Sequence, residues 1–276
     1  MSRRIRIGDS TLSIFEVGKL TMKLSEYVRK GARLPDYVAL DSKIDFPIYN
    51  AHIAFGENSI MIDPCDYEAL CPLGQPLRPE GYSPPPSLLT QLSLAGIKPE
   101  EITHVMITHP HLDHCIGSTV KTNEGRYVPA FPHAKYYLGA ADWNSVETQA
   151  DLMSVPEVIH SLRVLNEYRL LTSVNSETDV APGVTVLPMP GETPGHQVLR
   201  VRSKGAKLYC IGDLFHAPME VADPQIMADF NDPEVNLKSR ISFLTNASTE
   251  DATIFAGHMS LGKIGKTETG FRWQNL

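Results

Sequence analysis

The sequence has little cysteine and no paired cysteine motif. Only four of its 276 residues are cysteines, and no two of them stand in a CxxC spacing. This scarcity excludes a thiol redox motif and a zinc site made of neighbouring thiolates. We therefore expect Cys65, Cys71, Cys115 and Cys210 to be small buried hydrophobic residues rather than ligands or disulfide partners.

Positive charge is also scarce. The sequence holds 25 Lys and Arg residues against 32 Asp and Glu residues, which gives a formal net charge of −7. Nucleic acids and anionic membranes are bound through clustered positive charge that displaces counterions. The charge balance therefore disfavours both kinds of partner.

No long apolar run is present either. Gly8, Asp9 and Glu16 interrupt the first apolar stretch, so no signal-peptide core forms. Polar or charged residues break every other apolar segment before it reaches the roughly 18 residues that indicate a membrane-spanning helix. The expected location is therefore cytoplasmic.

The overall composition is typical of a folded protein, with 42% hydrophobic and 21% charged residues. No repeat, low-complexity tract or linker is visible, so we predict one domain over residues 1–276. Two stretches, at about 20–50 and 63–86, lack clear periodicity and are predicted as enlarged loops, which are usually functional in compact domains. Their aromatic residues would either line an apolar pocket or anchor the loops: Tyr27, Tyr37, Phe46, Tyr49 and Tyr82.

Short β-prone runs alternate with helical patterns along the chain, which predicts an α/β layered fold. Strands are expected over 10–17 and 52–62, and helices over 87–95, about 140–171 and about 233–246. Four later β-prone runs, at 104–108, 184–189, 207–212 and 253–257, each lead to a histidine or an aspartate. These residues are His109, His196, Asp213 and His258.

The strongest local signal is an HxHxDH cluster, which reads His109-Pro110-His111-Leu112-Asp113-His114. Helix and strand periods of 3.6 and 2 residues cannot place its four donors on one face, so we predict that they wrap around a ligand in a loop. Imidazole and carboxylate together suit zinc and neighbouring first-row metals. The absence of thiolate disfavours a purely structural site.

This cluster and three later motifs resemble the metallo-β-lactamase-fold hydrolases. The later motifs are Thr193-Pro194-Gly195-His196, Gly212-Asp213 and Gly257-His258, in the family's order. The resemblance extends from about residue 50 to residue 273. It implies an αββα sandwich of two mixed sheets packed face to face, with helices on the outer faces and metals at one sheet edge.

The resemblance also implies a two-metal ligand set in which every position is filled. It assigns His109, His111 and His196 to the first metal, Asp113, His114 and His258 to the second, and Asp213 to a bridge between them. Zinc is the default for both metals, and manganese, iron, cobalt or nickel also suit such donors. Two cations about 3.5–4 Å apart can share a water and supply hydroxide as a nucleophile. Asp113 is a candidate proton carrier to the leaving group.

Residues 212–216, 221–224 and 271–273 resemble most the branch that contains methyl-parathion-hydrolase-like and quorum-quenching-lactonase-like proteins. Asp213 stands where β-lactam-hydrolysing members with two zincs commonly place a cysteine, which disfavours antibiotic resistance. In the lactonases a tyrosine three residues after the bridging aspartate hydrogen-bonds the substrate carbonyl. Here His216 takes that place, and it either donates the same bond or has only a structural role.

The leading expectation is a dinuclear-metal hydrolase that uses a bridging hydroxide on a small-molecule carboxylic ester or lactone. A phosphotriesterase-like activity on the same site is the alternative. A mononuclear iron oxygenase and a non-catalytic metal-binding effector rank lower, because neither needs the whole ligand set. Family members often dimerise, so a homodimer is among the expectations.

Overall fold

The computed structural model describes residues 3–32, 34–35, 38–66, 87–154 and 159–276. Cys71, Tyr37, Tyr82 and most of the predicted loop at 63–86 lie outside these described residues. Cys65, Cys115 and Cys210 are buried, as predicted.

The first of two mixed sheets begins with an antiparallel meander and ends with parallel strands. Its seven strands are, in spatial order, β1 (Arg3–Ile7), β2 (Ser10–Lys23), β3 (Lys43–Phe55), β4 (Asn58–Ile62), β5 (His104–Met106), β8 (Lys135–Gly139) and β9 (Leu171–Val174). A separate hairpin consists of β6 (Thr119–Lys121) and β7 (Tyr127–Pro129).

The second sheet also has seven strands, of which only β13 and β14 pair in parallel. The strands are β10 (Thr178–Ala181), β11 (Val184–Pro188), β12 (Gln197–Ser203), β13 (Ala206–Cys210), β14 (Thr253–Ala256), β15 (Ser260–Lys266) and β16 (Phe271–Asn275).

Helices cover the outer faces of both sheets. The α-helices are α1 (Leu24–Tyr27), α2 (Leu88–Leu94), α3 (Leu112–Cys115), α4 (Ala140–Trp143), α5 (Val146–Ser154), α6 (Val164–Glu167), α7 (Pro218–Ala222) and α8 (Pro233–Ala247). Short 3₁₀ turns occupy Pro99–Glu101 and Ile116–Ser118, and a π-helical turn occupies Ile159–Arg163. None of the described helices is long and apolar enough to cross a membrane.

The alternation of side chains along the strands creates the layers. Ile60 and Leu199 face the other sheet and belong to the apolar cluster between the sheets. Their neighbours Met61 and Val198 point outward and pack against the helical layers. Because a strand directs successive side chains to opposite faces, β4 and β12 each contribute to two cores. The αββα prediction is therefore confirmed.

Two of the predicted helices have the expected ends. Ser87 caps α2 by accepting a hydrogen bond from the Thr90 amide at 3.3 Å. Asp232 caps α8 by accepting from the Glu234 and Val235 amides at 3.2 and 3.1 Å. Side chains at this position satisfy amides that have no partner inside the helix. The helix predicted over about 140–171 is instead a series of short helices, and β9 begins at Leu171.

The enlarged loop predicted at about 20–50 needs a correction. Strand β2 continues to Lys23 and β3 begins at Lys43, so both ends of that stretch belong to one long hairpin. Ile44, Phe46 and Ile48 do alternate with more polar neighbours in β3. Pro47 hides this pattern, because proline is unusual within a strand. A bulge between Glu16 and Gly18 shifts the register of β2 as well.

Candidate active site

The HxHxDH residues follow β5 and lie partly in a loop and partly in a helix. His109 and His111 are in the loop, whereas Asp113 and His114 lie in the single turn of α3. The predicted wrapping arrangement therefore consists of a loop that passes into a helical turn. His109 and His114 are buried, and the side chain of His111 is 39% exposed.

Asp213, His196 and His258 come from three loops of the second sheet. Asp213 follows β13, His196 directly precedes β12, and His258 follows β14. Gly212 has a φ of +49°, and a β-carbon there would lie 2.4 Å from Thr108 Oγ1. Because only glycine fits this turn, the loops after β5 and β13 can approach each other closely.

These loops bring the donors together in two clusters that share Asp213. In each, one donor atom per residue lies within 4.8 Å of all the others. The first cluster contains His109, His111, Glu192 and Asp213, and the second contains Asp113, His114, Asp213 and His258.

Asp213 is the central residue of both clusters. Its Oδ2 atom is 3.7 Å from His109 Nε2, 3.1 Å from His114 Nε2 and 3.2 Å from His258 Nε2. Its Oδ1 atom is buried and accepts no hydrogen bond from the described residues. A carboxylate in this position can bind a cation on each side.

His196 and Glu192 differ from the predicted arrangement of the first cluster. His196 is buried beside His109, with ring centroids 5.3 Å apart. Its Nε2 accepts a hydrogen bond from the Asp213 amide at 3.3 Å, and it is outside the compact group. Glu192, which the sequence analysis did not single out, occupies that group instead. Its position four residues before His196 is the only sequence feature that marks it.

Asp63 is a second buried carboxylate that sequence reasoning missed. Its Oδ2 accepts from His114 Nδ1 at 3.0 Å and from the Thr108 hydroxyl at 2.8 Å. The hydroxyl proton of Thr108 is thereby used, so Thr108 Oγ1 accepts from His109 Nδ1 at 3.1 Å. Asp63 follows β4 directly, and the pattern of a β-prone run ending in a histidine or aspartate would have found it.

The outward hydrogen bonds of the histidines fix which ring nitrogen faces the clusters. His196 Nδ1 donates to the Met189 carbonyl at 3.0 Å, and His258 Nδ1 donates to the Pro47 carbonyl at 2.8 Å. With His109 and His114 bound through Thr108 and Asp63, four rings direct Nε2 inward. Such outer partners are typical of metal-binding histidines. The donor chemistry and the unbonded Asp213 Oδ1 therefore fit two divalent cations.

A sequence family matches this architecture. The model of the metallo-beta-lactamase superfamily matches residues 73–258, more than half of the chain. The chain belongs to the metallo-beta-lactamase superfamily. Within it, an N-acyl homoserine lactonase of Bacillus cereus is 26% identical over 172 residues, and one of Bacillus thuringiensis is 26% identical over 169 residues. The matches cover 62% and 60% of this chain and only 61% and 60% of the lactonases.

Several solved structures share the fold over nearly the whole chain. The hydrolase AbOPH has a TM-score of 0.78 at 20% identity and covers 100% of this chain and 97% of its own. AidC, a dizinc quorum-quenching lactonase in complex with a homoserine product, has a TM-score of 0.77 at 21% identity, with the same coverage. A probable metal-dependent hydrolase from Staphylococcus aureus has a TM-score of 0.79 at 17% identity and covers 99% of both chains.

The electrostatics of this superfamily site follow from its crowded charges. Burial opposes the charged form of Asp213, but His114, His258 and His216 hold the pKa of its carboxyl well below the ordinary value. Burial and the neighbouring rings of His114 and His111 hold the pKa of His109 well below the usual value for histidine. A cation in this site therefore meets an ionised bridge and a neutral ring.

His216 lies beside the clusters and is held by a buried network. Its Nε2 is 3.2 Å from Asp213 Oδ2, and its amide donates to Glu220 Oε2 at 3.0 Å. The same Glu220 oxygen pairs with Arg240 Nη2 at 2.7 Å, and both side chains are fully buried. The hydroxyl of Tyr27 in α1 donates to the other Glu220 oxygen. Helices α1, α7 and α8 thus fix His216 together.

Two cavities meet at His111 and Phe230. The smaller one, of about 290 Å³, opens over the clusters, with Asp113, Asp213, His216 and His258 at its base. Its walls are mainly apolar and consist of Leu20, Met22, Glu26, Tyr27, Phe46 and Phe230. The larger one, of about 600 Å³, lies on the side of Glu192 and α5. Tyr27 and Phe46 therefore contribute to the expected pocket, whereas Tyr49 packs between the sheets.

His52 and His133 lie away from the clusters. His52 is buried and bonds Ser59 Oγ at 2.8 Å, and His133 bonds the Glu100 carbonyl at 3.0 Å. Neither residue belongs to the two clusters around Asp213.

Proposed function

We propose that this member of the superfamily is a dinuclear-metal hydrolase that cleaves a carboxylic ester or lactone. The observation that carries the proposal is the pair of clusters around Asp213 at the base of an apolar cavity of about 290 Å³. The proposed ligands are His109, His111 and His196 for one cation, Asp113, His114 and His258 for the other, and Asp213 between them. When bound, the two cations supply Lewis acidity, which activates water and polarises the substrate carbonyl.

Asp113 carries the proton in this proposal. Its Oδ2 is 3.5 Å from His258 Nε2, and its side chain is 14% exposed toward the cavity. The carboxylate takes a proton from the attacking water as the water oxygen bonds to the carbonyl carbon. It then gives that proton to the leaving alkoxide oxygen as the ester bond breaks, so an ester yields an acid and an alcohol, and a lactone yields a single hydroxy acid.

His216 binds the carbonyl oxygen in this proposal. Its ring lines the cavity and stacks on the ring of His258, with centroids 5.5 Å apart. Its backbone amide donates a hydrogen bond to Glu220. A ring N–H at this position can donate to the carbonyl oxygen and stabilise the negative charge that develops on it.

Apolar side chains above these groups support the proposed class of substrate. Leu20, Met22 and Phe46 form a surface that suits an acyl chain better than a phosphate or a sugar. The lactonase relatives, which act on N-acyl homoserine lactones, support a lactone with an acyl chain.

Hydrolysis assays test the proposal. Purified chain loaded with zinc or manganese is incubated with aryl esters of increasing acyl length, with γ-lactones that carry an acyl side chain, and with an aryl phosphotriester. We expect turnover of the esters or lactones that rises with acyl length and is lost on treatment with a chelator. Turnover of the phosphotriester without any turnover of the carbonyl compounds would contradict the proposal and favour the phosphotriesterase alternative.

A further inference from the structure

Glu192 is a buried carboxylate in the loop between β11 and β12. It is 4% exposed, and its Oε2 atom accepts a hydrogen bond from the Asn231 side chain. Its Oε1 atom accepts no hydrogen bond from the described residues. This oxygen lies 3.5 Å from His111 Nδ1 and 3.5 Å from His216 Nε2. A buried carboxylate oxygen is stable only beside a proton donor or a cation, and a ring N–H of His216 and a bound metal ion are the two partners that fit this position.

The backbone holds Glu192 in this position. Gly191 has a φ of +139°, and a β-carbon there would lie 2.2 Å from Asn236 Cα in α8. The Gly191 carbonyl accepts from the Asp232 amide at 2.9 Å, and its amide donates to the Thr193 carbonyl at 3.0 Å. The Thr193 hydroxyl in turn donates to Asp142 Oδ2 at 2.8 Å. The loop is thus tied to the start of α8 on one side and to α4 on the other.

We propose that Glu192 is an additional ligand of the first cation and that it shifts the metal preference of that site away from zinc. The first cluster then offers two imidazoles and two carboxylates in one compact group, with His196 at its side. Carboxylate donors suit manganese, whereas a site with three imidazoles suits zinc. A second carboxylate also adds a negative charge that balances the cation. The proposal rests on the dinuclear site proposed above and is independent of the substrate.

One rival role would leave metal binding untouched. Glu192 Oε1 could serve only as the hydrogen-bond acceptor for the His216 ring, since His216 Nε2 lies as close to it as His111 Nδ1 does, at 3.5 Å. In that case, removal of the charge would alter turnover and not metal affinity. The two roles therefore predict different results in a binding measurement without substrate.

The experiment compares the wild-type chain with Glu192→Gln and with Glu147→Gln as a matched control. Glu147 lines the same larger cavity and is outside both clusters. Each chain is stripped of metal and equilibrated with chelator-buffered Mn²⁺ or Zn²⁺, and bound metal is counted by elemental mass spectrometry. We expect Glu192→Gln to weaken the binding of one Mn²⁺ ion by at least about tenfold, a loss in the range seen when a metal site loses a supporting residue. The binding of Zn²⁺ should weaken clearly less. Glu147→Gln is expected to behave as wild type.

A spectroscopic readout and a milder variant complete the test. With Co²⁺ in place of the native metal, Glu192→Gln should change the visible absorption bands, which report the ligands directly. Asn231→Ala keeps the carboxylate but removes its anchor, so a smaller loss of Mn²⁺ affinity is expected. This variant decides the matter if Glu192→Gln does not fold. Unchanged Mn²⁺ and Zn²⁺ affinities and unchanged Co²⁺ bands in the folded variants would overturn the proposal, even if hydrolysis of esters or lactones is slowed.

Discussion

The two clusters around Asp213 differ in how the surrounding protein holds them. In the second cluster, His114 is bound by the Asp63 carboxylate and His258 by the Pro47 carbonyl, and both rings are buried. In the first cluster, His111 is 39% exposed and faces Glu192, which comes from a loop between two strands. The second cluster is thus preorganised by buried partners, whereas the first is open on one side. We expect the second cluster to bind its cation more tightly than the first.

Asp213→Asn removes the residue that both clusters share and should have the largest effect. Asparagine keeps the size of the side chain but lacks the negative charge that the surrounding histidines stabilise. We expect the variant to bind fewer than two metal ions per chain and its turnover to fall to background. Elemental analysis and the hydrolysis assay measure the two effects. Retention of both ions with normal turnover would remove Asp213 from its central role.

Asp113→Asn affects only the second cluster. The variant loses both a ligand oxygen and the proposed proton carrier, and general acid–base catalysis contributes roughly 10²–10⁴-fold to rates. We expect turnover to fall within about that range, with the first cation still bound. Substrates with better leaving groups should be less affected, because their alkoxides need no proton. A variant with wild-type turnover and metal content would exclude the proton-carrier role.

Asp63→Asn and Thr108→Val distinguish the supports of the two clusters. Asp63 accepts a hydrogen bond from His114 directly and supports His109 through Thr108. Its loss should therefore lower the affinity for both cations, and by about 10–100-fold for the cation of the second cluster. Thr108→Val removes the contact to His109 and should lower mainly the affinity of the first cluster for its cation. Asparagine tolerates the φ of +47° at position 63, so the backbone is preserved. Equal losses at both sites in both variants would show that the supports are not separate.

Glu220→Gln tests a support that lies outside both clusters. Burial opposes the charged form of Glu220, but Arg240 and His216 lower the pKa of its carboxyl, which places a charged carboxylate in the core. Breaking a buried ion pair costs about 3–5 kcal/mol, so the unfolding temperature should fall. We expect both cations to stay bound while kcat falls by roughly tenfold, about 1.4 kcal/mol in the barrier. Loss of metal with unchanged kcat per bound site would argue against a link to His216.

A second substitution separates the position of His216 from general stability. The double variant Glu220→Gln with Arg240→Met removes the unpaired charge and should regain part of the stability. The support for His216 remains absent, so kcat should stay low. Recovery of kcat together with the unfolding temperature would mean that Glu220 acts only on stability.

The fold and the clustered histidines were predictable because their signals are local. The HxHxDH residues are adjacent in the chain, and strand ends that lead to His196, Asp213 and His258 place those residues at one edge of the sheets. Asp63 follows β4 and carries the same local signal, whereas Glu192 and Glu220 depend on contacts between distant segments, as in the bond from Tyr27 to Glu220 across 193 positions. No periodicity marks such residues. The β2–β3 hairpin was missed because Pro47 interrupts an otherwise alternating strand.

The direct test of two unequal clusters is the stoichiometry and order of metal binding. The metal-free chain is titrated with Mn²⁺ or Zn²⁺, and bound metal and catalytic activity are measured at each step. We expect two ions per chain. The first ion to bind occupies the second cluster, with the higher affinity, and Asp63→Asn weakens this step most. Activity should rise mainly when the other ion binds to the first cluster. A chain that saturates with one ion, or one that is fully active with a single ion, would contradict this expectation.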